Sequence, residues 1–564
     1  GTGASGDPFR SIQAGINFSS HADSVAVAAG TYVENVNFRG RNIKVVGADR
    51  ETTIIDGNSS GSVVTFNGGE NRDAFLKNFS IINGAGNSIS EPEKSSFGGG
   101  IQCYHSSPTL ENLLVYNNNA GNESEEGWGQ GGGIAIQSGS PLINNCRIYS
   151  NSTGADGGGL FIASEDGAKL QNVIISENVA GAAGGGIYGE GIFEVNRSLI
   201  KDNYCTTFGA PGIDCSDSDV KIINSVITNN LGGDFSGGLR FQGNGSKAEI
   251  IHSVFWGNSG KEMYISNDDS LIISYSDIDG DIDSVYSENN GIIEWGSGNV
   301  DVDPMFVDTA NGDYTLQMDS PLIDAGHPDS TDADGTIADI GAYYYDQSGQ
   351  PARVQGFVTT PTDSSEIFLT WDAVADNFSG SYKIYRSTDP DEDFYSASPV
   401  SSVTSTIWGD DLGVEDQTYY YRVSAMDSEG DEGLLAFMDH ARFGLDSTSL
   451  YMEDAYLTHI TGSGLDAGSS YTLEAFVRFP AFPTDPVNFI LFGSDFLQLV
   501  PLENDQARID LHLSGTDHEG STIADTSWHH VALTTDGSTS TLWVDGYAAI
   551  SAAAGFGING KVLK

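Results

Sequence analysis

Three charged residues recur at a nearly constant separation in the middle of the sequence: Glu190, Asp214 and Arg240. Two neighbouring carboxylates can act as general acid and general base in cleaving a glycosidic bond, so the three residues are candidate catalytic groups. The alternative is a solvated face on which Asp214 and Arg240 form a surface ion pair, which stabilises a protein little. Both interpretations stay open from the residues alone.

Aromatic residues accompany these charges. Tyr104, Phe161 and Tyr188 stand at outward positions of the repeat described below, and exposed aromatic faces there would stack on sugar rings. They are the candidate carbohydrate-binding residues. Trp128, Trp256 and Tyr264 are further candidates, with burial in a core as the alternative.

A third group of residues has the composition of a metal site. Residues 262–352 contain no Lys or Arg but 20 Asp and Glu. Oxygen ligands at alternate positions, with a glycine for the sharp turn, suit Ca²⁺, and an ordinary acidic turn is the alternative. The predicted calcium ligands are Asp329, Asp332, Asp334 and Asp339 around Gly335. A weaker second set is Asp277, Asp279, Asp281 and Asp283.

An internal repeat in the first 345 residues would position these side chains. Glycine-rich segments recur, and the apolar residue after each, here called the marker, is separated from the next by 33, 26, 27, 26 and 26 residues. Such a period, with Gly and Asn at the corners and no helical pattern, predicts a parallel β-helix of stacked turns. The markers are Ile101, Ile134, Leu160, Ile187, Ile213 and Leu239. A series in phase with them is Asn118, Asn151, Asn178, Asn203, Asn230 and Asn258, which predicts a ladder of bonded side-chain amides.

Stacked turns would align residues at equal distances from their markers into columns. Residues two after the marker should point inward, so Cys103 and Cys215 are predicted to be buried; a disulfide between Cys205 and Cys215 is the alternative. Residues one and three after the marker should point outward. The first outward column is Gln102, Ala135, Phe161, Tyr188, Asp214 and Arg240. The second outward column is Tyr104, Gln137, Ala163, Glu190, Ser216 and Gln242.

Composition excludes several classes of protein. The chain of 564 residues has 25 Lys and Arg against 78 Asp and Glu, a net charge of −53, which makes nucleic acid and anionic membranes poor partners. Four cysteines cannot form a dense disulfide framework. No run of about 18 apolar residues occurs, so no transmembrane segment is predicted. Because the chain opens at Gly1, we expect a removed signal or a start inside a longer protein.

Motifs at both ends of the repeat resemble known proteins. The segments VAVAAGTY (25–32), IKVVG (43–47) and TIIDG (53–57) resemble the opening turns of the pectin-lyase-like β-helix superfamily. The segments DPMFV (303–307) and SPLIDAG (320–326) resemble the end of secreted bacterial β-helix proteins. The resemblance implies a right-handed parallel β-helix over residues 1–346. The Asn-Thr-Asp and Gly-His-Gly motifs of galacturonase-like relatives and the clustered arginines of pectate lyases are absent from the sequence.

Two smaller β-domains are predicted after a linker at 347–353. Residues 354–445, with Trp371 and Tyr419, resemble a fibronectin type III sandwich, which usually serves as a spacer or adhesive module. Residues 446–564, with YTLEAFV (471–477) and WHHVAL (528–533), resemble a concanavalin-like or laminin-G-like jelly roll. Its closing strands are missing from the sequence, so we expect this domain to be truncated.

Together these features predict an all-β protein that is secreted or attached to a cell surface. A rod, a spacer and a lectin-like module suit a structural or adhesive role, with a neutral polysaccharide or cell-surface glycan as partner. Exposed strand edges at the ends of the rod allow self-association into fibres. The alternative is a polysaccharide lyase or glycoside hydrolase acting on an outward face of the β-helix.

Overall fold

The computed structural model describes residues 1–4, 6–89, 95–121, 128–207, 209–233, 235–243, 245–361, 366–374, 378–390, 392–411 and 417–442, and beyond these the strands between 460 and 563 with Thr539. The chain divides into two compact units. The first comprises residues 1–354, 374–381 and 424–437, and the second comprises 355–373, 382–423 and 438–564.

Two long parallel sheets form the first unit. The larger sheet has 18 strands, and the second has ten. The strands of the larger sheet are Ser24–Val27, Val36–Asn37, Lys44–Gly47, Val64–Phe66, Phe75–Lys77, Ile101–Tyr104, Thr109–Glu111, Ile134–Gln137, Leu142–Asn144, Leu160–Gln171, Ile187–Asn196, Ile213–Ile223, Ser236–Gln242, Lys247–Ile251, Lys261–Ile265, Ser270–Ser274, Val285–Ser287 and Ile292–Trp295. The strands of the second are Gly30–Val33, Thr53–Asp56, Ser80–Ile82, Leu114–Tyr116, Arg147–Tyr149, Ile174–Ser176, Leu199–Lys201, Val226–Thr228, Val254–Trp256 and Asp277–Ile278.

Shorter elements complete the turns of this unit. A helix, Ile12–Phe18, precedes the first strand, and its N-cap Ser11 accepts a hydrogen bond from the Ala14 backbone N–H. The 3₁₀ turns are Asp281–Ser284 and Thr309–Asn311. The remaining strands are Ser152–Thr153, Val179–Ala180, Tyr204–Cys205 and Leu231–Gly232 in one parallel sheet, Asn87–Ile89, Ser95–Phe97 and Trp128–Gln130 in another sheet, and the antiparallel pair Phe306–Asp308 and Asp313–Leu316.

The strand register confirms the parallel β-helix and its columns. Ile134 pairs with Leu160, Leu160 with Ile187, and Ile187 with Ile213. Residues 26 or 27 positions apart therefore stack directly above one another along the coil. The same ladders align both outward columns as predicted, from Gln102 to Arg240 and from Tyr104 to Gln242.

The interior of the coil is apolar. The marker side chains and the residues two after them are buried, among them Cys103 and Cys215 as predicted. None of the four cysteines forms a disulfide, and all four are buried. The alternative of a disulfide between Cys205 and Cys215 is therefore wrong, because the thiols behave as small apolar groups within the packing.

The asparagine series forms the predicted ladder at one corner of the coil. Asn203 Nδ2 donates to Asn230 Oδ1 at 2.9 Å, and Asn178 Nδ2 donates to Asn203 Oδ1 at 3.0 Å. At the end of the ladder, the buried Glu262 carboxylate accepts from the Asn258 backbone N–H at 3.0 Å and from Asn258 Nδ2 at 2.6 Å. Burial raises the pKa of Glu262 to about 7. The ladder thus satisfies buried backbone groups where the chain turns a corner.

Each glycine triplet makes a sharp bend just before its marker. Gly157 has φ +71, and a Cβ there would lie 2.2 Å from the Leu160 carbonyl oxygen, so no other residue fits. The first glycines of the other triplets, Gly98, Gly131 and Gly184, have the same left-handed conformation. The bend folds the residue before the triplet back onto the outside of the coil.

The segment after the β-helix packs on the outer face of the ten-stranded sheet. Leu199, Val226 and Val254 on that face are buried by this segment. The covering side chains are Tyr314, Leu316, Leu322, Ile323, Ile340, Ala342 and Leu434. This apolar contact gives the first unit a second, smaller core.

The second unit is built from antiparallel sheets. The sheets within residues 358–442 have three and four strands in the orders Val358–Pro361, Glu366–Thr370, Ile407–Asp411 and Ser401–Val403, Ser381–Ser387, Thr418–Met426, Asp439–Arg442. Trp371 is buried and packs edge-on against Tyr382, with ring centroids 5.4 Å apart. The fibronectin type III assignment, including Tyr419 as its corner residue, stays a prediction, as do the domain boundaries; the buried Tyr421 hydroxyl donates to Asp410 at 2.9 Å.

The C-terminal strands form sheets of six and four strands. The six-stranded sheet contains Ile460–Thr461, Val562–Leu563, Val487–Phe492, Asp495–Leu502, Gln506–Leu513 and Thr516–Ile523. The four-stranded sheet contains Tyr471–Val477, His529–Thr535, Ser540–Val544 and Tyr547–Ala552. Two such antiparallel sheets agree with the predicted jelly roll.

Candidate functional site

A second layer of residues covers part of the first outward column. The residues four before each marker are Phe97, Gln130, Asp156, Ala183, Gly209 and Phe235. The glycine bend brings them over the column, because Phe97 contacts Phe161 at a centroid distance of 6.0 Å and Ala183 packs with Phe161 and Tyr188. The column is therefore on the outside of the coil yet largely shielded from water.

Asp214 and Arg240 form a buried ion pair at the centre of this column. Arg240 Nε donates to Asp214 Oδ2 at 2.7 Å, and Arg240 Nη2 donates to Oδ1 at 3.3 Å. The Ala210 backbone N–H also donates to Oδ2, at 2.7 Å. Burial raises the pKa of Asp214, and Arg240 counteracts that shift. The expectation of a solvated ion pair is wrong, since both side chains are almost inaccessible.

Asp156 is a second carboxylate beside this pair. It is half-buried, and burial together with the charge of Asp214 raises its pKa to about 6. Hydrogen bonds from the Gln130 side chain and the Ala183 backbone oppose the shift. Near neutral pH this carboxyl group can both accept and release a proton, which is what general acid–base chemistry needs.

Tyr188 connects Asp156 to the exposed Glu190. Burial raises the pKa of Tyr188, as do the charges of Glu190, Asp156 and Asp214. The Tyr188 hydroxyl donates to the Glu190 carboxylate and accepts from Ser216. Partial desolvation also raises the pKa of Glu190. The charge of Glu190 also raises the pKa of Asp156, though less than burial and the charge of Asp214 do.

The three predicted carbohydrate-binding aromatics differ in accessibility. Phe161 and Tyr188 are 4% and 9% exposed and stack on each other at 5.8 Å with an interplanar angle of 5°. Their faces are covered by each other and by Ala183, so in this arrangement they are not open to a sugar ring. Tyr104 is exposed and lies edge-on to His105.

The first outward column continues beyond Arg240 into an aromatic stack. Arg240 pairs in register with Tyr264, and Tyr264 pairs with Tyr286. The Tyr264 and Tyr286 rings stack at 5.4 Å, and Phe235 packs against Tyr264 at 5.0 Å. Phe235 and Tyr286 are 45% and 47% exposed, so this stack presents open aromatic surface.

Polar side chains run alongside the stack in the second outward column. Glu190 stands at one end, and Ser216 and Gln242 follow it in register. Glu288, three residues after Val285, stands at the other end and accepts a hydrogen bond from the Tyr264 hydroxyl. We call the surface between Glu190 and Glu288 the glycan strip. Its exposed or partly exposed members are Asp156, Glu190, Ser216, Phe235, Gln242, Tyr286 and Glu288, and its buried members are Tyr188, Asp214, Arg240 and Tyr264.

The predicted calcium ligands are engaged in other interactions. Asp332 Oδ2 accepts from the Asp339 backbone N–H, and the two oxygens of Asp339 accept from the backbone N–H groups of Asp324 and Tyr345, all at 2.7 Å. Asp334 likewise accepts from Thr336 and Gln347, while Asp329 is exposed. These carboxylates hold the backbone of the segment together, and burial raises the pKa of Asp339 to about 7.

The second acidic set is also dispersed. Asp277 is buried and its pKa is raised to about 8, first by burial and then by the charges of Asp301, Asp279 and Asp303. Asp281 and Asp283 lie in an exposed 3₁₀ turn. Among the described residues, no three His, Cys, Asp or Glu side chains form a group that could hold a metal ion. Calcium binding by either acidic set stays a prediction.

Sequence reasoning missed Asp156, Phe235, Tyr286 and Glu288. A signal for the first two existed, because they stand four residues before a marker, at the position that the glycine bend turns outward. Tyr286 and Glu288 follow the later markers Met263 and Val285, which lack the glycine triplet and so escaped the repeat.

Among the residues that the structure describes, no helix is long and apolar enough to cross a membrane.

Similarity to solved structures is weak. The chain resembles a pectin methylesterase from carrot (14% identity, TM-score 0.23, covering 52% of this chain and 85% of that one). It also resembles a pectin methylesterase in complex with a hexasaccharide (13%, 0.24, 53% and 89%). A third is the enzymatically active domain of tailspike protein 2 of bacteriophage CBA120 (11%, 0.25, 98% and 76%). Similarities at these TM-scores carry no argument about activity.

Sequence comparison identifies one part of the chain. No protein with a curated description matches the sequence significantly. Residues 452–561 match the family described as the concanavalin A-like lectin/glucanases superfamily.

Proposed function

We propose that the protein is a secreted or cell-surface glycan-binding protein, and that its β-helix binds a glycan chain along the glycan strip. The observation that carries the proposal is the register of Arg240, Tyr264 and Tyr286, which places exposed aromatic surface and polar side chains on one continuous face. Aromatic faces supply apolar contact area to a sugar ring, and hydroxyl, amide and carboxylate groups beside them bond its hydroxyls.

The size of the strip suits a chain rather than a single sugar. Strands in successive turns are about 4.8 Å apart, so the four intervals from Glu190 to Glu288 along the second outward column span roughly 19 Å. Rigid aromatic groups held by a ladder lose little conformational entropy on binding, which favours affinity. We therefore expect oligosaccharides to bind better than monosaccharides.

A further feature supports an extracellular, adhesive role. Residues 452–561 match a superfamily of lectins and glucanases, so a second glycan-binding module on the same chain fits the proposal. Two binding modules on one chain gain avidity for a polymeric partner when both can bind together.

Assembly into fibres through the strand edges of the terminal turns belongs to the same proposal, and electron microscopy of the purified chain tests it.

A glycan panel with matched variants tests the binding proposal. Neutral, anionic and cationic hexasaccharides are titrated into the full chain, and binding is measured by calorimetry. Tyr286→Ala should weaken binding at least tenfold by removing exposed stacking surface. The control is Tyr149→Ala, which removes one ring of a stacked tyrosine pair on the ten-stranded sheet, where Tyr116 and Tyr149 lie 4.9 Å apart. Equal affinity of Tyr286→Ala and the parent chain would overturn the proposal.

A second candidate function is glycan cleavage, and the raised pKa of Asp156 favours it. Asp156 could protonate the leaving oxygen while Glu190 activates a water or attacks the sugar. The ion pair of Asp214 and Arg240 would act through the charge of Asp214 on Asp156. Product release from the same panel, followed by chromatography, tests this candidate. Cleavage should be lost in Asp156→Asn and should follow a pKa of about 6 in its pH profile. Binding without any product would reject cleavage and leave the binding proposal intact.

A further inference from the structure

The charge of the glycan strip points to a particular class of glycan. Asp156, Glu190 and Glu288 bring three carboxyl groups to its two ends, and the exposed Asp217 lies next to Ser216. These groups stand on either side of the aromatic stack. An anionic glycan would meet repulsion along the whole strip.

Two cations lie near the strip, and an ion pair neutralises one of them. Arg240 is buried and bonded to Asp214 through Nε and Nη2. The exposed Lys261, two residues before Met263, keeps its charge and donates from Nζ to the Asp283 backbone carbonyl oxygen at 2.7 Å. The charges of these residues leave the described strip with an excess of negative charge, in a chain whose net charge is −53.

The aromatic stack, like the carboxylates, favours a cationic ligand over a neutral one. The faces of Phe235 and Tyr286 carry the negative part of the ring quadrupole, which attracts cations, and the Arg240 guanidinium carbon lies 6.0 Å from the Phe235 ring centroid. A sugar with an ammonium group would therefore gain from the ring face and from the carboxylate beside it, and a neutral sugar would gain only the apolar contact.

We infer that the glycan strip selects a cationic amino-sugar polymer, with Glu190 and Glu288 as the residues that determine this specificity. The inference rests on the proposed function and deepens it. The two carboxylates lie at opposite ends of the strip, so a chain that follows the aromatic stack meets one at each end. Charge complementarity, rather than shape alone, identifies this occupant.

A pair of chemically matched oligomers tests the inference. The hexamers of glucosamine and of N-acetylglucosamine have the same backbone, but acetylation removes the amine charge. At pH 6 and about 0.1 M salt, the glucosamine hexamer should bind the full chain at least tenfold more tightly. Raising the salt to about 1 M, where the screening length falls to roughly 3 Å, should remove most of that preference.

Charge-neutral variants then identify the responsible residues. Glu190→Gln and Glu288→Gln should each lower the ratio of the glucosamine-hexamer affinity to the N-acetylglucosamine-hexamer affinity severalfold, because only the charged amine loses a charged partner. Glu51→Gln, which removes an exposed carboxylate from a distant turn, is the control and should behave like the parent chain. Equal binding of the two hexamers, or a preference that survives in both strip variants, would overturn the inference and leave glycan binding itself standing. Failure of every oligosaccharide in the panel to bind would overturn both.

Discussion

Replacing Asn203 with Ala should destabilise the β-helix strongly, because Asn203 stands in the middle of the buried asparagine ladder. Its Oδ1 accepts from the Asn178 backbone N–H at 3.1 Å and from Asn178 Nδ2 at 3.0 Å. Its Nδ2 donates to the Ile175 carbonyl and to Asn230 Oδ1. Four hydrogen bonds at about 1 kcal/mol each predict a loss of roughly 4 kcal/mol. The Asn178 N–H would then be buried without a partner.

Native-state hydrogen exchange is the suitable assay for this change, because a long stacked coil need not unfold in one step. A loss of about 4 kcal/mol corresponds to roughly a thousandfold faster exchange of the Asn178 amide if it exchanges through opening of this turn. The control is Asn196→Ala, since Asn196 is half-buried and makes one long side-chain contact of 3.5 Å to Glu194. Similar exchange rates in the two variants would refute the reasoning that the ladder stabilises the coil.

Three further predictions concern the bend, the end of the ladder and calcium. Gly157→Ala should lower the free energy of unfolding by much more than Gly69→Ala does. Both glycines have a positive φ, but only at Gly157 would a Cβ collide with backbone atoms. Equal losses of stability in urea titrations would contradict the steric argument. The pKa of Glu262 is raised in the folded state to about 7, so the folded state binds a proton that the unfolded state has lost, and the free energy of unfolding falls as pH rises from about 4.5 to 7. Glu262→Gln should reduce that fall by about 3 kcal/mol, as measured by unfolding at pH 5 and pH 8. An unchanged dependence of stability on pH would show that the carboxyl group is not buried. Calcium at millimolar concentration should raise the melting temperature no more than magnesium does, because Asp332 and Asp339 already accept backbone hydrogen bonds. A rise that is specific to calcium would support a calcium site instead.

The coil and its columns were predictable from the sequence because the repeat is a physical requirement. A glycine such as Gly157 is needed where a side chain would collide with backbone, and an asparagine such as Asn203 is needed where buried groups of two turns must be bonded. Both requirements recur once per turn, so the period in the sequence is the period of the coil. Alternation along each strand then gave the burial of Cys103 and Cys215.

The environment of the outward column was not predictable by the same reasoning. Alternation tells whether a side chain leaves the coil, but not whether another segment covers it afterwards. Asp214 points outward and is nevertheless buried, because the bend places residues such as Ala183 above the column. The pKa of Asp156 depends on that covering, since burial is the main cause of its shift.

The acidic segment after the β-helix, here called the acidic tail, shows a different limit of prediction from sequence. A series such as Asp332, Asp334 and Asp339 has the composition of a cation site, but composition does not fix what each oxygen bonds to. In the structure these oxygens accept backbone N–H groups and shape the tail. Carboxylates that bind metals and carboxylates that cap turns look alike in a single sequence.

Covalent labelling of the protein with and without bound glycan tests whether the glycan strip is the binding surface of the β-helix. The full chain is labelled at exposed aromatic side chains with and without a saturating hexasaccharide, and the labelled peptides are quantified. We expect Phe235 and Tyr286 to lose most of their labelling while Tyr116 and Tyr149, on the ten-stranded sheet, keep theirs. Unchanged labelling of Phe235 and Tyr286 in a complex that demonstrably forms would contradict the account.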